Sequence, residues 1–367
     1  MRRSAVDEQR DRGAGLFIYA ELQIWTDGQH CRCHEWSRGG APLLPLRRSS
    51  VWRHLAIAIS FSPHSREAAR RAMEVFQEEV HFVRLRSTVR SKKYLTAGDD
   101  GVNVFLCGQR GVHNTVWAVE HVEGVIPRAG VGPFVRFRGA YGRYLMATNF
   151  EATTGPSDGV IPEQRDLTTR PSPPAWLWQA FRRRNSFVLR NGTGRYLRAN
   201  GRFRRWHRDV SVAGDNASTM MQWWIEVVTA ITTRPTLIDP PAQLMHPTNP
   251  PVEAEMSRVI WYVRGDSNGR YNEQDWATMR VSTNSLMHLR FTLASRLGQD
   301  RDALQTTLCV RAGRYAHLSP LLIDLPIGND PIQIVLLTHG TLADNVMRYP
   351  DLDAPSNPRQ YVARSQI

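Results

Sequence analysis

The sequence predicts a mainly β fold followed by a small α+β domain, and three observations carry that expectation. A strand–turn–strand pattern returns three times, a proline-dense stretch follows the third copy, and a leucine-spaced helix then sits among short apolar strands. The 367 residues suffice for two or three domains, since one compact domain takes roughly 100–150.

The three copies are legible residue by residue. VRLRS (Val83–Ser87) leads to KKYLTA (Lys92–Ala97), VRFRG (Val135–Gly139) to GRYLMA (Gly142–Ala147), and FVLRN (Phe187–Asn191) to GRYLRA (Gly194–Ala199). Arg86, Arg138 and Arg190 stand 52 residues apart each time, and Tyr94, Tyr144 and Tyr196 stand 50 and 52 apart. Each copy closes on a Trp-led strand: WAVE from Trp117, WQAF from Trp178 and WWIE from Trp223. Apolar residues alternate with Arg in VRLRS and VRFRG, which predicts one buried and one solvated face. FVLRN is more continuously apolar and is expected deeper. GDDG (Gly98–Gly101) and NGTG (Asn191–Gly194) are turn sequences that tolerate positive φ. A unit of about 50 residues cannot bury its own faces, so three predict threefold closure around one core, a β-trefoil over residues 73–229. Tyr94, Tyr144, Tyr196, Trp117, Trp178 and Trp223 are then repeated core residues rather than a stacking site. The second copy is long between Ala147 and Trp178, and Pro156, Pro162, Pro171, Pro173 and Pro174 make that insertion read as a surface loop.

VRLRS, KKYLTAGDDG, WAVEHV and RGAYGRYLMA resemble a plant family of unknown function whose trefoil is similar to the fascin actin-bundling domains. The resemblance implies a fascin-like fold and, through that fold, actin cross-linking; fold by itself does not fix function. Members of that family commonly begin near the equivalent of Met73 and often pair the trefoil with a ubiquitin-like domain.

On either side of the trefoil the patterning changes. Residues 1–72 show no sustained period and are expected as an extension with no fold of its own. Glu67 to Val80 reads as a short helix with Ser65 as N-cap. HCRCH (His30–His34) is a Cys/His cluster without the second cluster that a structural zinc site needs, so no metal is expected. Residues 230–256 form a linker with Pro235, Pro240, Pro241, Pro247, Pro250 and Pro251, a density that excludes helix and central strand. Within 257–340, RVIWYVR (Arg258–Arg264) reads as a strand, SNGR (Ser267–Arg270) as a turn and Trp276 to Ser282 as a strand. Leu286, Leu289, Leu293 and Leu297 predict an amphipathic helix from Ser285, stopped at Gly298. LCVRAG (Leu308–Gly313), a short segment from Leu318 and IQIVLL (Ile332–Leu337) complete a ubiquitin-like β-grasp order. Domains that look like this usually bind proteins. The chain end, Arg364 to Ile367, lacks a terminal di-glycine, so conjugation is not expected. Residues 341–367 read as a flexible tail.

Charge and motifs narrow the function. The chain carries 47 Lys+Arg against 34 Asp+Glu, net +13. Residues 1–72 hold +5, residues 73–228 hold +8 and residues 229–367 are neutral. Arg182, Arg183 and Arg184 precede the third copy, and Arg202, Arg204, Arg205 and Arg208 follow its tyrosine strand. Together they form a candidate Arg-rich patch for filamentous actin or another acidic protein surface. Trp206 and His207 leave nucleic acid as an alternative that is not favoured. No apolar run approaches the roughly 18 residues of a spanning helix, so no membrane partner is expected. Cys31, Cys33, Cys107 and Cys309 are too few for a disulfide scaffold and point to a reducing, cytoplasmic setting, with the cytoskeleton as the place that the actin expectation implies. No G-x-S-x-G, H-E-x-x-H, Walker A or G-x-G-x-x-G sequence occurs, so neither enzyme activity nor a cofactor is expected. A ricin-like, sugar-binding trefoil is the rival; its Gln-x-Trp signature appears once, at Gln222–Trp224. The sequence thus predicts a non-enzymatic binding or scaffold protein.

Overall fold

Three four-strand units realise the repeat in a computed structural model that describes residue 73 and residues 75–122, 133–152, 159–170, 173–200, 210–214, 216–235, 257–298 and 306–355. The extension 1–72, linker residues 236–256 and tail residues 356–367 lie outside the described residues. The first unit contains β1 (Phe82–Ser87), β2 (Tyr94–Ala97), β3 (Val104–Cys107) and β4 (Trp117–His121). The second contains β5 (Val135–Arg138), β6 (Tyr144–Glu151), β7 (Val160–Arg165) and β8 (Trp178–Arg183). The third contains β9 (Ser186–Asn191), β10 (Tyr196–Ala199), β11 (Val210–Ala213) and β12 (Gln222–Val228). β1, β4, β5, β8, β9 and β12 pair antiparallel in a closed ring. β2–β3, β6–β7 and β10–β11 are hairpins, joined through Val160 opposite Val212 and Asn103 opposite Glu163. That closed ring with three hairpins is a β-trefoil.

The core explains the repeated residues. Trp117, Trp178 and Trp223 are fully buried, and each Nε1–H donates to a leucine carbonyl of its own repeat, Leu95, Leu145 or Leu197, at 3.0 Å. The motif therefore couples a large apolar ring to one buried polar partner, which satisfies the indole donor. Leu95, Leu145 and Leu197 are themselves fully buried. Tyr94 and Tyr144 are buried as expected, whereas Tyr196 is only half-buried.

Three local expectations are corrected. Arg84 and Arg136, on the face expected to be solvated, are 1% and 4% exposed: Arg84 bonds Leu352 O of the C-terminal part, and Arg136 lies beside Glu120 and over the Tyr144 ring. The insertion after Ala147 contains strand β7 with Pro162 inside it, opposite Ala147, and β7 is buried up to Gln164. Described residues between Met73 and Val80 form hydrogen-bonded turns rather than a helix, with Phe76 N–H on Met73 O and Val80 N–H on Gln77 O. Met73, Val75 and Phe76 instead plug the trefoil core, Phe76 meeting Phe137 edge-on at 5.4 Å.

Beyond β12, β13 (Ala230–Ile231) leaves the trefoil. The second sheet contains β14 (Arg258–Arg264), β15 (Ala277–Val281), β16 (Thr306–Val310), β17 (Ser319–Pro320) and β18 (Ile332–Thr338). Their order is β15-β14-β18-β16-β17, with only β14–β18 parallel, which is ubiquitin-like. Helix α1 (Leu286–Arg296) starts where Ser285 Oγ accepts the His288 N–H, and it buries Leu286, Leu289 and Leu293 against this sheet. Gly298 follows it with φ +66°, the left-handed stop expected there.

The flexible-tail expectation for 341–367 is corrected over 341–355. Helix α2 (Leu342–Asn345) packs Ala343 with Val263, Cys309, Val335 and Leu337, and the Thr307 hydroxyl donates to Asp344 at 2.7 Å. Strand β19 (Tyr349–Pro350) pairs with β13, and Tyr349 is 1% exposed. The described residues of trefoil and ubiquitin-like domain belong to one compact unit within 59–367.

Candidate functional site

Two arginine–carboxylate groups lie where the C-terminal part meets the trefoil. Around Arg138 and Tyr144 of the second repeat, Glu120 on β4 of the first accepts from Arg138 Nε at 2.6 Å and from the Tyr144 hydroxyl at 2.9 and 3.1 Å. Arg136 stands 3.8 Å away, and His317 of the ubiquitin-like domain approaches through Nδ1 at 3.7 Å. The His317 backbone N–H also donates to the Tyr144 hydroxyl at 3.2 Å. Burial opposes ionisation of Glu120, but Arg138 and His317 outweigh it and hold the carboxyl below its usual range. Burial, then the neighbouring carboxylate, pushes the Tyr144 phenol up.

Around Arg86 and Tyr94 of the first repeat, β12 of the third closes the equivalent group. Glu226 on β12 lies 3.2 Å from Arg86 Nε and 3.4 Å from Arg110 Nε. The C-terminal segment completes it: Arg84 Nη2 donates to Leu352 O at 3.1 Å and Arg110 Nη2 to Ala354 O at 3.0 Å. These are structural clasps, because their charges are paired with one another and covered.

Backbone bonds close the rest of the seam. Leu167 N–H donates to Ala312 O at 2.8 Å, Tyr315 N–H to Leu167 O at 3.1 Å and Ile327 N–H to Asp99 O at 2.6 Å. A cleft of about 600 Å³ opens along it, lined by Tyr141, Arg143, Trp261, Arg311 and Gln333 among others. Two of its arginines are paired with carboxylates: Arg143 with Asp166 at 3.0 Å, Arg311 with Glu273 at 2.9 Å.

The predicted arginine patch is placed in part. Arg182, Arg183 and Arg184 are exposed at the β8–β9 turn, where Arg184 adopts φ +53° and Arg182 lies over the Phe187 ring at 5.2 Å. Arg202, Arg204, Arg205 and Arg208 lie outside the described residues. The buried clasps escaped the sequence reading, although Glu at the fourth position of WAVE and WWIE, opposite Arg-rich strands, was the available signal. Among the described residues no cluster of three or more His, Cys, Asp and Glu could hold a metal, and no helix is long and apolar enough to cross a membrane. Cys309 is fully buried and its thiol is pushed up to about 12 by burial, which makes it a poor nucleophile. Cys107 is half-buried in β3. The single Gln-x-Trp match fails in register, because its Trp224 is 38% exposed beneath Arg86 while the core ring is Trp223.

Residues 73–226 match the family described as a beta-trefoil domain of unknown function (DUF569). Residues 256–337 match the DUF569 associated ubiquitin-like domain. No curated protein matches the chain. Among solved structures, a Caenorhabditis elegans protein with unknown function is 16% identical, with 41% of this chain and 97% of that one covered and a TM-score of 0.32. The designed threefold-symmetric protein ThreeFoil is 16% identical over 39% of this chain and 96% of its own, with a TM-score of 0.31. A Macrolepiota procera ricin B-like lectin, solved with lactose, is 15% identical over 41% and 96%, with a TM-score of 0.30. Likenesses of this size carry no functional argument.

Proposed function

We propose that this chain, which belongs to the family joining the β-trefoil domain of unknown function (DUF569) to its associated ubiquitin-like domain, is a non-enzymatic binding protein for an acidic protein surface. The observation that carries the reading is the exposed run Arg182, Arg183 and Arg184 at the β8–β9 turn. Exposed guanidinium groups offer bidentate donors that match carboxylates. The ubiquitin-like domain acts in this reading as a fixed part of the scaffold, since its seam with the trefoil is hydrogen-bonded and charge-paired. Filamentous actin is the first partner to examine, in keeping with the fascin-like resemblance of the repeats, and the setting is then cytoplasmic and cytoskeletal.

Cosedimentation with filamentous actin tests the proposal. The wild-type chain is expected to pellet at moderate salt, and replacing Arg182, Arg183 and Arg184 by Ala is expected to leave it in the supernatant. The same substitution at Arg202, Arg204 and Arg205 measures the share of the second arginine run. Absence of pelleting removes actin as the partner, and equal, salt-sensitive binding to any polyanion replaces the reading with nonspecific attraction.

A further inference from the structure

Laying the three repeats over one another exposes a position where the third departs. Each group takes its Arg and Tyr from one repeat and the fourth residue of a Trp-led strand from the neighbouring one: Glu226 of β12 for the first group, Glu120 of β4 for the second, but Phe181 of β8 for the third. The other members of the group persist. Arg86, Arg138 and Arg190 stand opposite Tyr94, Tyr144 and Tyr196 in the same register. The chain's own carboxylate closes the first two groups, at 3.2 Å from Arg86 and 2.6 Å from Arg138. In the third, Arg190 is exposed and donates from Nε to Gly194 O at 3.2 Å. No carboxylate pairs with Arg190 among the described residues. Phe181 is half-buried against the trefoil core, and Tyr196 is half-buried where Tyr144 is fully buried.

What covers the complete groups is equally telling. His317 lies over Glu120, and the carbonyls of Leu352 and Ala354 bond Arg84 and Arg110. Among the described residues, the C-terminal part makes no hydrogen bond or ion pair with Phe181, Arg190 or Tyr196. Val188 replaces the second arginine of the other repeats, Arg84 and Arg136, so this face offers one guanidinium beside an aromatic ring. Arg182, Arg183 and Arg184 continue along the same hairpin and add positive potential.

We propose that the Phe181–Arg190–Tyr196 face of the third repeat is a docking site for an acidic segment of a partner protein. The partner's Asp or Glu carboxylate takes the place that Glu226 and Glu120 fill in the first two repeats. Arg190 receives the carboxylate, and the Phe181 ring packs the aliphatic part of the same side chain. This rests on the reading of the protein as a binder of acidic surfaces and assigns the contact within it.

The test is fluorescence anisotropy of a labelled decaglutamate peptide with the full chain. Arg190→Ala removes the donor to the carboxylate, and Phe181→Glu fills the position with the chain's own. Each is expected to weaken binding about five- to tenfold, the value of one charge-assisted hydrogen bond. Arg296→Ala, on the exposed side of α1, changes net charge equally and is expected to stay within about twofold of wild type. Arg190 is exposed, so its variant keeps the fold and carries the test even if Phe181→Glu unfolds. Equal losses in Arg190→Ala and Arg296→Ala, or no peptide binding, overturn the site. Stronger Arg190-dependent binding of a charge-matched oligonucleotide overturns its assignment to an acidic protein. Actin pelleting that survives Arg190→Ala keeps the binding reading and removes this face; Arg190-dependent peptide binding without actin pelleting keeps the face and removes actin.

Discussion

Lys92 occupies the position that Gly142 and Gly194 hold in the other repeats, and all three have positive φ, +55°, +74° and +98°. A side chain in that region is strained where glycine is not, so Lys92→Gly is expected to stabilise the chain by about 0.5–1 kcal/mol in urea unfolding. The indole donors behave oppositely. Trp178→Phe keeps most of the ring but orphans the buried Leu145 carbonyl, with an expected cost of about 1–3 kcal/mol in the same measurement. His113 adds a pH dependence: burial, then the Arg84 charge, lowers its pKa to about 4 from an ordinary 6.5. Its folded form stays neutral while the unfolded chain takes up a proton, so stability falls as pH drops from 6.5 to about 4. The loss is at most about 3 kcal/mol. His113→Gln should flatten that part of a stability–pH curve; an unchanged slope would show that other groups set it.

At the scale of elements, local pattern predicted strands well and faces less well. RVIWYVR became β14 without a shift of either end, and Ser285, Leu286, Leu289, Leu293 and Gly298 marked the cap, buried stripe and stop of α1. VRLRS and VRFRG also formed strands, but their arginines are covered. Alternation shows which residues share a face and says nothing about what later lies on it. Proline misled in the insertion, since Pro162 sits in a strand that needs no N–H from it. The seam depends on Gly313, whose φ is +97° and whose added Cβ would meet the Leu167 backbone at 2.6 Å. Gly313→Ala is expected to cost about 2–4 kcal/mol and to raise hydrogen exchange along the Leu167–Ala312 contact.

Taken as a whole molecule, trefoil and ubiquitin-like domain share charge clasps, backbone bonds and the β13–β19 pairing. Such a seam predicts that the two unfold together, as one calorimetric transition whose enthalpy agrees with the van't Hoff value. Glu120→Gln takes the carboxylate from Arg138 and is expected to cost about 3 kcal/mol, separating the trefoil and ubiquitin-like transitions. A single transition at an unchanged temperature in that variant would show that the backbone contacts alone hold the seam. The arrangement leaves the third repeat as the trefoil face that the described C-terminal residues do not clasp.

The sequence by itself determined the threefold count, the buried tryptophans and leucines, the order of the C-terminal elements and the arginine excess of the trefoil. Those features are local or periodic, and a strand's residues carry their own spacing wherever the strand ends up. Only the tertiary structure decided which arginines remain open. That outcome depends on residues far apart in the chain: His317 reaching Glu120, Leu352 and Ala354 reaching Arg84 and Arg110, and Phe181 standing where two glutamates stand. Pairing and burial of charge depend on what packs against each strand, and this is why a uniform basic pattern resolved, among the described residues, into two faces clasped by the C-terminal part and one that it does not clasp.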